Sequence, residues 1–236
     1  MSRKSPAFTI FETIIACALA ILAFGLMISA FISFRRQSET PLASMNMDQS
    51  TIQILRWFQR EISETNLQSI RSLDKENGVI LESARDTSDN LTFNPFGGLA
   101  WKKFVYFQVK NLSTPSSVPM PPTVKVGGTT INGPQLGELN YDEDPAGVGV
   151  EASQPTSLTP ASNPGRHRLL GRNFLIENPN KMGCFVYYND NAGNPQLFTD
   201  TQRGEPVCVA LTLMEVSGST GKPTIRKIFL QIKPKN

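Results

Sequence analysis

The amino-acid sequence predicts an α+β fold, with one long N-terminal helix packed on an antiparallel β-sheet and long loops rich in proline and glycine. Three observations predict it. An almost unbroken apolar run extends from Phe8 to Phe34, an amphipathic helical stripe follows between Ile52 and Ile62, and strand-like segments fill the chain after Asn77-Gly78. With 236 residues, the chain has room for one anchored domain with a sizeable core. Its 17 glycines and 17 prolines exceed what a compact helical protein carries, so loops and β-structure are expected in the body. A net charge of +3 demands neither nucleic acid nor an acidic substrate. There is no internal repeat.

The apolar run has about the length of a single helix crossing a hydrocarbon layer. Arg3 and Lys4 precede it and Arg35 and Arg36 follow it, so flanking charge does not orient it. A leader of a few residues is easily left in the cytoplasm, which places the body outside. Glu12 is the anomaly. A carboxylate near the bilayer centre costs roughly 2.5–3.5 kcal/mol, and less near an interface. It needs an edge position or a partner, and no Lys or Arg lies within a turn or two on its C-terminal side. A cut just before Phe8 would create a free α-amine one helical turn from Glu12, in the same subunit or a neighbour. Burying that pair costs desolvation, so it would serve register better than stability.

Arg3-Lys4-Ser5-Pro6-Ala7, followed by Phe8-Thr9-Ile10-Phe11-Glu12 and the apolar run, resembles the type III signal of type IV pilins and type II secretion pseudopilins. The resemblance implies a prepilin peptidase cutting between Ala7 and Phe8 and N-methylating Phe8, with Glu12 as the carboxylate that directs assembly. The residue before the cut is Gly in most of the family, and Ala7 is small enough to stand in for it. The apolar helix also lacks the internal proline common in major pilins, with Gly25 and Ser29 its only soft points, which leans toward a minor subunit. The family further implies assembly with other pilins or pseudopilins through the N-terminal helix. Its location would be a single-pass inner-membrane anchor with a periplasmic body, then a pilus or pseudopilus filament. The competing reading is an ordinary signal peptide, with Arg3 and Lys4 as its n-region and a cut after Ile28-Ser29-Ala30 releasing a secreted β-rich binding protein. The length of the run and the carboxylate within it argue against that.

The expected organisation is a leader at 1–7, a membrane or filament-core helix at 8–36, an amphipathic helix at 37–74 and a β-rich body at 75–236 with a loop-rich insertion at 113–165. Thr40-Pro41 reads as an N-cap followed by proline at the first helical position, or as a kink through which the membrane helix continues into the amphipathic one. Ile52, Leu55, Phe58 and Ile62 then make one face, widened by Ile54 and Trp57, with Arg56, Gln59, Arg60 and Glu61 opposite. The segment Ile52 to Asn66 is loosely similar to the corresponding helix of J-type minor pseudopilins. Strands are expected at Val79–Leu81, Leu91–Phe93, Lys103–Lys110, Arg168–Ile176, Gly183–Tyr188, Val207–Val216 and Thr224–Ile232, the last two forming a hairpin around Ser217–Gly221. Ser113 to Gly165 reads as loops with one short hairpin at most.

Cys17 lies in the apolar run, and Cys184 and Cys208 are the two thiols that would face an oxidising compartment. They are a candidate disulfide or, alternatively, two buried free thiols. No catalytic residue, metal site, cofactor or small-molecule substrate is expected. His167 is the single histidine, between Arg166 and Arg168, which removes multi-histidine metal sites and weakens Ser-His chemistry. Asp142-Glu143-Asp144 reads as a solvated loop rather than a calcium site, Asn189-Asp190-Asn191 as turn chemistry, and Gly97-Gly98 and Gly127-Gly128 form no phosphate motif. Two basic clusters, Arg166, Arg168 and Arg172, and Lys222, Arg226, Lys227, Lys233 and Lys235, keep a DNA-contacting competence pilin as an alternative, although a solvated face is the expectation and nucleic acid is disfavoured.

Overall fold

The computed structural model describes residues 10–73, 77–86, 88–112, 120–144, 166–176, 184–199, 201–216 and 222–234, with helical side chains at 10–34 and 48–64. The chain divides into two compact units, Met1–Ser44 and Met45–Asn236. Helix α1, Ile10–Glu64, supplies the first unit and continues into the second. It does not restart at Pro41. Of the two readings of Thr40-Pro41, the N-cap gives way to the continuing helix, in which Pro41 contributes no N–H to the ladder. Within the first unit, Ile10–Phe34 is 25 residues of apolar helix. At 1.5 Å per residue it spans about 37 Å, enough for a hydrocarbon layer of about 30 Å.

In the second unit α1 ends at Glu64, ahead of the expected limit at residue 74, and a 3-10 turn at Leu67–Ser69 follows. Among the described residues the body is an antiparallel sheet of nine strands. In chain order these are β1 (Arg71–Leu73), β2 (Gly78–Ser83), β3 (Lys103–Asn111), β6 (Leu136–Asp144), β7 (His167–Leu175), β8 (Val186–Asn189), β9 (Pro195–Gln196), β10 (Val207–Val216) and β11 (Pro223–Ile232), and a separate hairpin joins β4 (Thr123–Val126) to β5 (Thr129–Asn132). Their spatial order is β1-β2-β3-β6-β7-β10-β8-β9, with β11 along the other edge of β10. The β10–β11 hairpin is paired from Val207↔Ile232 to Val216↔Pro223, as its sequence implies. Leu91-Thr92-Phe93 is not a strand; it contributes two isolated bridges, Arg85↔Leu91 and Phe93↔Leu99.

Within 113–165 the one short hairpin allowed by the sequence is present as β4–β5, whereas the loop expected at 136–144 is a strand. Gly127 and Gly128, at φ of +57° and +86°, make the two-residue turn of the β4–β5 hairpin, a conformation with positive φ at both positions that suits glycine. More consequentially, β6 pairs with β3 from Phe104↔Asp144 to Asn111↔Gly137 and lies in the middle of the sheet. Two irregularities in its pairing with β7 fall at Gly137/Glu138 and Leu139/Asn140. The first accommodates Asn173, whose φ of +67° marks a bulge residue.

One face of the sheet carries the main core. Val79, Leu81, Val105, Phe107, Leu139, Tyr141, Val207, Val209, Leu211 and Leu213 share a cluster with Ile54, Phe58 and Ile62 of α1. The helical line actually buried is therefore 54, 58 and 62, at i, i+4 and i+8. Ile52, expected on that face, is 50 % exposed. The Phe58 ring lies 4.5 Å from Phe107 and 5.8 Å from Phe185, and Trp57 lies 4.8 Å from Tyr141, spacings at which aromatic pairs attract. Gly171 leaves room for this: a Cβ there would stand 3.0 Å from Ile54 Cδ1. The opposite face holds two smaller clusters, one built on Val124, Val126, Ile131, Leu175 and Met214, the other on Ile80, Phe104 and Tyr106.

Candidate functional site

Glu12 stands in the first turn of α1, where the positive end of the helix dipole favours a carboxylate. The large apolar side chains around it and beyond, from Ile10 and Phe11 through Leu19, Phe24, Met27 and Phe31 to Phe34, are exposed on every side of the helix. Such a surface is too large to be an ordinary solvated face and requires an apolar cover. Gly25, one of the expected soft points, causes no break, and nothing lies within 4 Å of a Cβ added to it. Ala7 and Phe8, the expected processing residues, lie outside the described residues. Chemically the segment is a helix able to enter an apolar medium, with its one carboxylate at the end. That carboxylate must be paired, protonated or left at the boundary.

The candidate disulfide is not formed. Cys184 and Cys208 are both buried free thiols. Strands β8 and β10 pair as Cys208↔Tyr187 and Val209↔Val186, so Cys184 lies three positions along from the residue opposite Cys208. That offset is about 10 Å at strand rise, beyond the Cα separation a disulfide spans. The two side chains also take opposite faces: Cys184 joins the main core with Val186 and Tyr188, while Cys208 alternates with Val207 and Val209, which do. The Cys184 thiol donates to the Gly78 carbonyl at 3.0 Å, and burial pushes the Cys208 thiol pKa up.

Asp142-Glu143-Asp144 is not a solvated loop. The three residues end strand β6 and are buried. Glu143 accepts from Lys103 Nζ and from the Tyr141 hydroxyl, both at 2.8 Å, while Asp142 faces His167 Nδ1 and, at 3.6 Å, Lys110 Nζ. His167, the single histidine, is thus tied to a carboxylate, and among the described residues no three ligating side chains gather into a metal-binding group. Asp190 makes the expected turn, accepting from the backbone N–H groups of Asn194 at 2.8 Å and Ala192 at 2.9 Å, and the Asn194 bond foremost holds its carboxyl below the usual range. The basic clusters are substantially ion-paired: Arg166 and Arg168 with Asp89 at 2.9 and 3.8 Å, Arg172 with Glu138 at 3.1 Å, Lys233 with Glu205 at 3.6 Å, and Arg226 with Asp48. Phosphate contacts would have to compete with those carboxylates.

Sequence reasoning missed one feature. A cleft of about 390 Å³ opens between α1 and β7, lined by Gln53, Arg56, Trp57, Arg168, Leu169 and Leu170. The guanidinium carbons of Arg60 and Arg168 lie 4.0 and 5.0 Å from the Trp57 ring centroid, within cation–π range. The available signal was Trp57 itself, a large aromatic flanked by arginines at the margin of the stripe. It reads as core in the sequence, and it does pack against the main cluster while staying partly exposed.

No family model, curated protein or solved structure matches the chain. What stands is an N-terminal helix long and apolar enough to span a membrane, followed by a domain built on an antiparallel β-sheet.

Proposed function

We propose that this chain is a minor pilin or pseudopilin, a non-catalytic subunit of a type II secretion pseudopilus or type IV pilus. The observation that supports it most is the exposed apolar helix Ile10–Phe34 with a single carboxylate, Glu12, in its first turn. A plain anchor gains nothing from that carboxylate, whereas a bundle of such helices can use it to set register. On this reading the prepilin peptidase cuts between Ala7 and Phe8 and methylates Phe8. The new amine neutralises Glu12 of the same or an adjacent subunit, and the helix moves from the inner membrane into the filament core. The β-rich body is held in the periplasm, and packing of α1 on its sheet makes it pilin-like. The supporting contacts are those of Ile54, Phe58 and Ile62.

The test is the N-terminus of the mature protein, read by intact mass and terminal peptide sequencing with and without co-expressed prepilin peptidase. A peptidase-dependent start at methylated Phe8 is expected. A start at Phe31 would instead make the run a cleaved signal sequence, and an intact Met1 would leave a simple anchored domain; either result ends the proposal.

A further inference from the structure

Strand β7 is paired unevenly. Along one edge it follows β6 from His167↔Asp142 to Leu175↔Leu136, but its other edge meets β10 only at Leu213↔Phe174. Continuing that antiparallel register brings the last residue of β10, Val216, opposite Gly171, so His167–Leu170 runs past the end of β10. Among the described residues β6 alone pairs with this stretch, and no strand lies along its other edge. An edge of unpaired backbone donors and acceptors is a template for another strand.

The Trp57 cleft lies against the same stretch, since Arg168, Leu169 and Leu170 are half of its lining. Trp57 gives it an aromatic wall, and Leu169 is 44 % exposed beside it. The surroundings are cationic. The cleft's own lining holds two guanidiniums, Arg56 and Arg168, and no carboxylate, with Arg168 3.8 Å from Asp89 outside it. Arg56 is exposed at the rim and has no ion-pair partner among the described residues. A backbone edge supplies affinity without side-chain selectivity, and an adjoining pocket with an excess of one charge supplies the selectivity.

We propose that the His167–Leu170 edge and the Arg56–Trp57 cleft together accept an extended acidic segment of a partner protein, which adds to the sheet as a strand beside β7. Alternate carboxylates of that segment share one face and meet Arg56 and Arg168 at the cleft beside Trp57, while the apolar side chains between them take the other face, on the side of Leu169. This surface is separate from Glu12 and does not depend on how the N-terminus is processed.

The test uses the full chain in zwitterionic detergent carrying Trp101→Phe, so that Trp57 is the remaining tryptophan. The probe is a capped octapeptide alternating glutamate and valine. Three controls accompany it: the same peptide with lysine for glutamate, the same peptide N-methylated at alternate residues, and a single-stranded oligonucleotide. Saturable perturbation of Trp57 fluorescence is expected with the acidic peptide. Binding should be about tenfold or more weaker for the lysine peptide and for Arg56→Glu. It should be weaker by a similar order for the N-methylated peptide, which cannot complete a ladder. Equal binding of the N-methylated peptide overturns strand addition, and insensitivity to Arg56→Glu overturns the location. No saturable binding, or displacement of the peptide by the oligonucleotide with tighter affinity, overturns the proposal as a whole.

Discussion

Lys103→Met tests whether a buried ion pair fixes the junction of β3 and β6. Lys103 Nζ and Glu143 Oε1 are 2.8 Å apart, with side chains only 3 % and 4 % exposed. The pair crosses the sheet diagonally, because Val105, not Lys103, is registered against Glu143. At an effective dielectric near 20, two unit charges at this separation attract by about 6 kcal/mol, a gross figure that the desolvation of both ions largely offsets. Removing the cation keeps the desolvation of Glu143 and loses its compensation, although the Tyr141 hydroxyl still donates to it. The expected loss is about 3–5 kcal/mol, typical of breaking a buried pair. With a urea dependence of about 2 kcal/mol/M, the midpoint should fall by about 1.5–2.5 M. The assay is urea unfolding of the detergent-held chain followed by tryptophan fluorescence, which senses this region because the Trp57 ring lies 4.8 Å from Tyr141. The double variant Lys103→Met with Glu143→Gln discharges both ends and keeps an acceptor for Tyr141, so it should recover most of the loss. A midpoint shift below about 0.5 M for Lys103→Met, or a double variant as unstable as the single, would refute the charge argument.

Three further outcomes follow from the same structure. Gly171→Val should lower the melting temperature, with a cost of about 1–3 kcal/mol, because its Cβ would stand 3.0 Å from both Ile54 Cδ1 and the Phe174 ring; an unchanged melting curve would mean the contact is not tight. Alkylation of the unreduced protein should be slow at Cys184 and Cys208 when folded and complete at all 3 cysteines in denaturant, whereas two thiols that stay unlabelled there would restore the disulfide. In an alkaline titration, burial pushes the Tyr106 phenol up to about 12 and pushes Tyr141 up further still. Their neutral forms are the ones the fold holds, so this contribution is whole below the ordinary tyrosine range near 10 and is lost as pH rises through about 12. Tyrosinate absorbance from these two should therefore appear together with unfolding; its appearance near pH 10 in a still-folded chain would contradict their burial.

The parts of the fold legible in the sequence were those where one physical signal dominates. The Phe8–Phe34 run has almost no polar residue to compete with its length, and β10 and β11 have apolar residues enough to pair, while the expected turn at Ser217–Gly221 lies outside the described residues. Strand β6 was illegible for the opposite reason. Leu136-Gly137-Glu138-Leu139-Asn140-Tyr141-Asp142-Glu143-Asp144 reads as polar, yet Leu139 and Tyr141 enter the core while its acids are matched by Lys103, Lys110, His167 and Arg172 from neighbouring strands. Those cations are distant in sequence, so local composition could not reveal that the charges would be compensated. The same limit hid the missing disulfide, since residue count fixes which thiols are available and only strand register fixes whether they meet. For the candidate site, Glu12 stood out because its environment is set by adjacent residues. The Trp57 cleft did not, because half of its lining comes from β7.

Helix α1 presents two kinds of apolar surface, and the difference bears on how the proposed subunit would work. Between Ile54 and Ile62 the apolar residues form a buried line, whereas from Ile10 to Phe34 they surround the helix and the large ones are exposed. The buried apolar core of the described residues begins at Ile54, so its composition does not depend on what covers the N-terminal segment. Lipid tails and neighbouring apolar helices are nearly equivalent covers by hydrophobicity alone. Exchange of one for the other is therefore decided by the groups that distinguish them. In Ile10–Phe34 the only charged group is Glu12. In lipid it stays at the boundary or is neutralised at a cost, while in a helical bundle a neighbouring amine would compensate it. Under the proposed function, cleavage before Phe8 creates that amine, so processing would turn a carboxylate that resists burial into one that selects it.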